Sequence, residues 1–142
     1  MKTIVNRRAK FDYELLETYE AGLSLTGGEV KSIKAGQMSL AGSFVKFNQG
    51  EAWLGNAYIN PYPPEVDPNY DPRRARKLLL HQKELFVLQQ QFKEKKLTIV
   101  PVECYNKAGK IKLKIALARG KKQYEKREAM KKREASRNIQ MF

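Results

Sequence analysis

The sequence predicts a small, mainly β domain with flanking helices, an OB-fold-like antiparallel β-barrel, followed by a basic C-terminal tail. Three observations carry this. Ile111, Leu113, Ile115 and Leu117 alternate with Lys112, Lys114, Ala116 and Ala118, the period-two mark of a strand with one buried face. Several other strand-like runs are joined by short turns containing glycine. Residues 119–142 hold nine Lys or Arg against three Glu, with few apolar side chains. Such a segment buries too little apolar surface to offset its ordering entropy, yet it is rich in good helix formers. It is either a solvated tail or one that orders on a polyanion. A sandwich shares the same periodicity, so barrel and sandwich are both open at this level.

Taken in order, Asn6-Arg7-Arg8-Ala9-Lys10 is a charged arm, solvated or in contact with RNA. Tyr13, Leu15, Tyr19, Ala21, Leu23 and Leu25 share one face of a long strand, with Glu17 the lone polar member. Gly22 inside it suggests a bulge or bend. Thr26 and Glu29 stand at capping-box spacing, which predicts a short helix from about Gly27 to Ala35 with Lys31 and Lys34 outside. A Gly-rich helix start can also hold phosphate, but the Walker pattern is absent and capping explains it better. Residues 43–47 and 52–59 read as a hairpin through Asn48-Gln49-Gly50. Residues 60–72 hold five of the six prolines and must be irregular loop.

The cluster Arg73-Arg74-Ala75-Arg76-Lys77 follows. A helix is expected from about Leu79 to Lys95, with Leu85, Leu88 and Phe92 along one face and lysines at its negative end. Leu97 to Tyr105 is a strand whose alternation changes phase at Val100-Pro101, which predicts a bulge or an edge there. A tight turn at 106–109 leads into the last strand.

The chain has 142 residues, enough for one domain with one core. Its 28 basic and 15 acidic residues give a net charge of +13, which favours a polyanionic partner. No apolar run is long enough to span a bilayer or to serve as a signal peptide. One cysteine, Cys104, allows no internal disulfide, in keeping with a reducing cytoplasm, and it reads as a small buried hydrophobe. One Cys and one His cannot build a zinc site, so no metal or cofactor is expected. An enzyme would have to rest on His81, with no partner marked out by sequence. What is present is basic residues interleaved with tyrosines, a pattern that suits phosphate contacts and base stacking.

The motifs Asn6-Arg7-Arg8-Ala9-Lys10-Phe11-Asp12-Tyr13, Tyr19-Glu20-Ala21-Gly22, Gly28-Glu29-Val30-Lys31-Ser32, Asp71-Pro72, Arg76-Lys77-Leu78-Leu79-Leu80-His81 and Ala116-Leu117-Ala118-Arg119-Gly120-Lys121-Lys122 occur in series. Together they resemble the SsrA-binding protein family, small bacterial proteins that bind transfer-messenger RNA, and the match runs along nearly the whole chain. The resemblance implies an OB-fold barrel, residues 1–119, that binds the tRNA-like domain of that RNA near its elbow. It implies a monomer with no catalytic role that delivers the RNA to stalled ribosomes in trans-translation, for tagging of the nascent peptide and ribosome rescue. It also implies a tail, residues 120–142, disordered alone and helical in the messenger channel by the small-subunit decoding region.

By the same match, Asn6, Glu20, Leu79 and His81 belong to the RNA-binding surface. Gly120, Lys121, Lys122, Lys126 and Arg127 belong to the ribosome-engaging tail. Arg7, Lys10, Lys31, Arg76 and Lys77 join the RNA surface as charged members of the matching motifs, and Tyr124 joins the tail as a stacking residue. Phe11 and Tyr124 stand where such relatives commonly carry histidine. The competing readings are a general OB-fold RNA-binding protein and an enzyme built on His81.

Overall fold

The computed structural model describes residues 1–63, 67–94, 97–121 and 127. In chain order it forms β1 (Ile4–Val5), α1 (Ala9–Asp12), β2 (Tyr13–Leu23), α2 (Gly27–Lys34), β3 (Met38–Ser39) and β4 (Phe44–Asn48). There follow β5 (Glu51–Gly55), β6 (Tyr58–Ile59), β7 (Arg76–Leu79), α3 (Gln82–Glu94), β8 (Leu97–Lys107) and β9 (Lys110–Gly120). Seven strands make one antiparallel sheet in the order β1-β8-β9-β2-β7-β5-β4, and β3 pairs with β6 apart from it.

The sheet does not close into the expected barrel: its ladder ends at β1 and β4. The N-terminal arm lies on the outer edge of β8. There β1 pairs with Glu103 and Cys104, and Asn6 donates its backbone N–H to the Val102 carbonyl (2.8 Å) and its Nδ2 to the Pro101 carbonyl (2.8 Å). The N-terminal arm thus covers residues 101–104 of that edge, and β4 comes up to β8 without pairing with it.

On β9, Ile111, Leu113, Ile115 and Leu117 are all buried on the inner face. They pack with Ala21, Leu23, Leu54, Leu78, Ile99 and Cys104 beneath Ile33 of α2 and Leu88 of α3. Burial pushes the Cys104 thiol up to about 12, as an inert core residue requires. The outer face carries a second, smaller cluster at one end: Ala116, Ala118, Val100 and Val102, with Ala9 of α1 packed among them.

Two register shifts decide which face each side chain takes. In β8 the shift falls between Pro101 and Glu103, close to the predicted phase change. In β2 it falls between Leu15 and Glu17, not at Gly22. It turns Tyr13 and Leu15 to the outer face, where they pack on the α1 cluster. Gly22 instead makes room for a neighbouring strand. It lies opposite Leu79, and a Cβ there would stand 3.3 Å from the Leu79 Cβ.

The hairpin turn at Gln49-Gly50 has positive φ at both residues (52° and 76°), as does the turn at Ala108-Gly109 (51° and 83°), the geometry that matches two-residue hairpins to strand twist. The expected strand 52–59 breaks into β5 and β6 at Asn56, whose φ is 61°. The helix expected from Leu79 starts instead at Gln82, because residues 76–79 form a strand between β2 and β5.

That strand also corrects the placement of Arg76. Its side chain is buried beside Leu78 on the inner side, so it cannot touch RNA. Its Nε and Nη2 donate to Glu29 Oε2 at 2.9 and 2.6 Å. Nη1 donates to the Ala57 carbonyl at 2.7 Å, and Nη2 also reaches the Pro72 carbonyl at 3.0 Å. Glu29 is equally buried and completes the predicted capping box, accepting from the Thr26 N–H at 3.0 Å while its own N–H donates to Thr26 Oγ1 at 3.2 Å. Arg74 pairs with its other oxygen, and the Tyr70 hydroxyl lies 3.1 Å from Oε2. One carboxylate therefore ties α2, the proline-rich loop and β7 together.

Burial alone would push the Glu29 carboxyl up. The hydrogen bonds from Arg74, the Thr26 backbone and Arg76, with the Arg76 charge, outweigh it and hold the group below the usual carboxylate range. A depressed folded-state value contributes stability that is complete above the unfolded value of about 4.3 and is lost as pH falls through the lower folded value. The slope of unfolding free energy against pH below about 4.3 is therefore expected to be shallower in Glu29→Gln than in the parent chain. Arg76→Met takes the fully buried arginine from Glu29 while Arg74, the Thr26 N–H and the Tyr70 hydroxyl remain, so it is expected to cost about 3 kcal/mol in urea unfolding at pH 7, the lower end for a broken buried pair.

Candidate nucleic-acid interface

The outer face of the sheet divides in two. One end is covered by α1 and is apolar. The other end is open, and the strand registers fix its membership. Lys112 and Lys114 of β9 point outward, since Leu113 and Ile115 point in. Lys114 lies opposite Glu20 of β2 and Glu103 of β8. Lys112 lies opposite Gly22 of β2 and Tyr105 of β8. Gly22 in turn faces Leu79 of β7, which is 51% exposed. Lys77, two residues earlier on β7, completes the row beside Trp53 and pairs with Glu51 at 3.0 Å.

The sheet thus brings Glu20, Leu79 and Lys77 of the predicted surface together. Glu20 is not free-standing. Its Oε2 accepts from the Tyr105 hydroxyl at 2.5 Å, and Lys107 Nζ lies 3.3 and 3.4 Å from its two oxygens. The Tyr105 hydrogen bond, partly offset by desolvation and reinforced by Lys107 and Lys112, holds the Glu20 carboxyl below its ordinary value. Burial and the Glu20 carboxylate push the Tyr105 hydroxyl above the ordinary tyrosine value. A second pair, Lys114 and Glu103 at 3.1 Å, sits beside them.

Alternation marks Lys112 as an outward lysine, and Tyr105 is one of the tyrosines interleaved with basic residues, whereas Lys107 carries no mark of its own. The signal that joins all three is the alternation of residues 103–114, which puts them on the lysine face once β8 and β9 are read as one hairpin.

Arg76 aside, the other residues predicted for the RNA surface lie outside these strands, and His81 follows Leu79 by two residues in the link from β7 to α3. His81 is exposed just before α3 and accepts the Leu85 N–H at 2.9 Å through its carbonyl. Asn6 is committed to pinning the arm on β8, and Arg7 is exposed in the turn after it. Lys31 is on α2, its Nζ 5.1 Å from the centre of the Tyr62 ring, away from the sheet face. Lys10 is exposed on α1 and meets the root of the tail: Lys121 Nζ donates to the Lys10 carbonyl at 2.7 Å, and the Lys121 N–H to the Asp12 carbonyl at 2.9 Å. Gly120 ends β9 opposite Tyr13, and Arg127 is exposed. Lys122, Tyr124 and Lys126 lie outside the described residues.

Among the described residues, no group of three or more His, Cys, Asp or Glu side chains could hold a metal ion, and no helix is long and apolar enough to cross a membrane. The arrangement can attract phosphates with its lysines and offers one tyrosine ring and one leucine for apolar contact.

The family model described as SmpB protein matches residues 3–142. An SsrA-binding protein of Sulfurihydrogenibium sp. (strain YO3AOP1) is 55% identical over 95% of this chain and 89% of its own length. One from Thermus thermophilus is 52% identical over 95% of this chain and 94% of its own. A solved chain, 48% identical, superposes with a TM-score of 0.70 over 90% of this chain and 94% of that one, and comes from a structure described as "tmRNA-SmpB: a journey to the center of the bacterial ribosome". The motifs read along the sequence and these matches along its length agree: the chain belongs to the SmpB family of SsrA-binding proteins.

Proposed function

We propose that this chain binds the tRNA-like domain of transfer-messenger RNA and delivers it to stalled ribosomes for trans-translation, tagging of the nascent peptide and ribosome rescue. The observation that carries the reading is the open outer face, where Lys107, Lys112 and Lys114 gather around Glu20 and Tyr105 next to exposed Leu79. It is a docking surface with no catalytic constellation in it, and the chain acts as an adaptor in the cytoplasm. The antiparallel sheet is read as an opened OB-type barrel that presents this face.

On this reading residues 1–119 are the RNA-binding part and residues 120–142 the ribosome-engaging part. Lys121 anchors the root of the tail on the carbonyls of Lys10 and Asp12, beside the arm. From there Lys122, Tyr124, Lys126 and Arg127 lead toward the messenger channel. Their charge suits ribosomal RNA, and Tyr124 keeps a face for stacking.

Phosphate contacts release counterions, so affinity for the tRNA-like domain is expected to fall with salt. About five neutralised phosphates give a slope of log K against log salt of roughly −4 to −5. A slope near zero contradicts a phosphate-led surface. A chain ending at Arg119 is expected to bind transfer-messenger RNA almost as well as the full chain and to fail in tagging on stalled ribosomes. RNA affinity and tagging yield, measured side by side, decide this. Joint loss of both would make the tail part of the RNA-binding fold.

A further inference from the structure

The β2, β8 and β9 part of the open outer face places two acids, Glu103 and Glu20, among its lysines, and each has a different setting. Glu103 has one cation, Lys114. Glu20 has two donors that reach it from the same strand, β8, across β9: the Tyr105 hydroxyl and the Lys107 ammonium. The register shows why this is possible. Glu20 lies opposite Lys114, Tyr105 lies opposite Lys112, and Lys107 is two residues further along β8. The Tyr105 and Lys107 side chains therefore lean back along the sheet over β9 to meet a carboxylate two strands away.

We propose that Tyr105 and Lys107 are the RNA-contacting groups of this face, Lys107 on a phosphate and Tyr105 against a base, and that Glu20 positions them without touching RNA. The inference rests on the RNA-binding reading above and names how that surface works.

Three features support it. First, both Glu20 oxygens already have donors within the chain, Oε2 the Tyr105 hydroxyl at 2.5 Å and both the Lys107 ammonium at 3.3 and 3.4 Å, so a base edge would have to compete with groups already in place. Second, a carboxylate placed against phosphates is repelled, whereas Lys107 is 64% exposed and its ammonium has three protons to share between Glu20 and a phosphate. Third, the Tyr105 ring is partly exposed and is tethered by its hydroxyl, so its orientation is set before any base arrives. A side chain ordered in advance loses less entropy on binding.

The test is a mutant cycle on the full chain, with a transcript of the tRNA-like domain as the probe and affinity measured at several salt concentrations. The variants are Glu20→Ala alone, and Lys107→Met, Tyr105→Phe, Tyr105→Ala and the Lys107→Met/Tyr105→Ala double, each with and without Glu20→Ala. Lys107→Met is expected to make the salt slope shallower by about 0.9, one phosphate contact. Tyr105→Ala is expected to weaken binding roughly tenfold through lost stacking, and Tyr105→Phe much less. Glu20→Ala is expected to cost roughly tenfold in the parent chain but under about twofold once Lys107→Met and Tyr105→Ala are both present.

A Glu20→Ala loss that persists undiminished in that background, with an unchanged slope in Lys107→Met, overturns the proposal and makes Glu20 a direct contact. Equal binding of the parent chain to a scrambled hairpin overturns the reading of a dedicated transfer-messenger RNA binder on which the proposal rests. The parent measurement stands apart from the cycle, so the two failures are distinguishable.

Discussion

The structure depends on the register of β9 between its two neighbours. Strand side chains alternate with a period of two, so a slip of one residue would exchange the lysines for the isoleucines and leucines of the core. β9 is fixed on both sides over its length, by β8 and by β2, and its four inward aliphatic residues are all buried. Everything functional on the outer face inherits that constraint. Lys112 and Lys114 are outside because Leu113 and Ile115 are inside, and Glu20 and Tyr105 are outside because they lie opposite those lysines.

The two register shifts show what a sequence can and cannot reveal. In β8 the inward residues Ile99 and Cys104 differ in parity, so the shift between Pro101 and Glu103 leaves a visible change of phase. In β2 it leaves none. Tyr13 and Leu15 keep the parity of Tyr19 and Ala21, yet the shift sends them to the opposite face. Apolar residues suit both places, because α1 and its alanine floor cover the outer face at that end. Ala116 and Ala118, which look like outward positions from alternation alone, are that floor. The helical cover is set by tertiary packing, and period-two counting has no access to it.

The same logic explains the Arg73–Lys77 cluster. Read as the approach to a helix, its basic residues look equally exposed. Read as the start of a strand, Arg76 shares its face with Leu78 and must go inward, while Lys77 and Leu79 go out. The four-residue strand is too short for its alternation to stand out against a leucine run that also suits a helix. Its inward arginine is tolerable because Glu29 is already held at the α2 N-terminus by the capping box. The capping box was legible; its second use as an internal counter-ion was not. Within the candidate interface, the family resemblance names Glu20 and Leu79, and alternation along the β8–β9 hairpin puts Tyr105 and Lys107 on one face; that those two reach Glu20 emerges only when β9 is paired with β2.

The buried Glu29–Arg76 pair and the exposed Glu20–Tyr105–Lys107 cluster divide the work between scaffold and surface. The central claim is that RNA meets the open half of the outer sheet face. Backbone amide NMR shifts, recorded while the tRNA-like domain is added to the full chain, test it most directly. The expected result is perturbation at Glu20, Leu79, Tyr105, Lys107 and Lys112. Perturbations confined to α2 and residues 58–62, with the outer face silent, would contradict it.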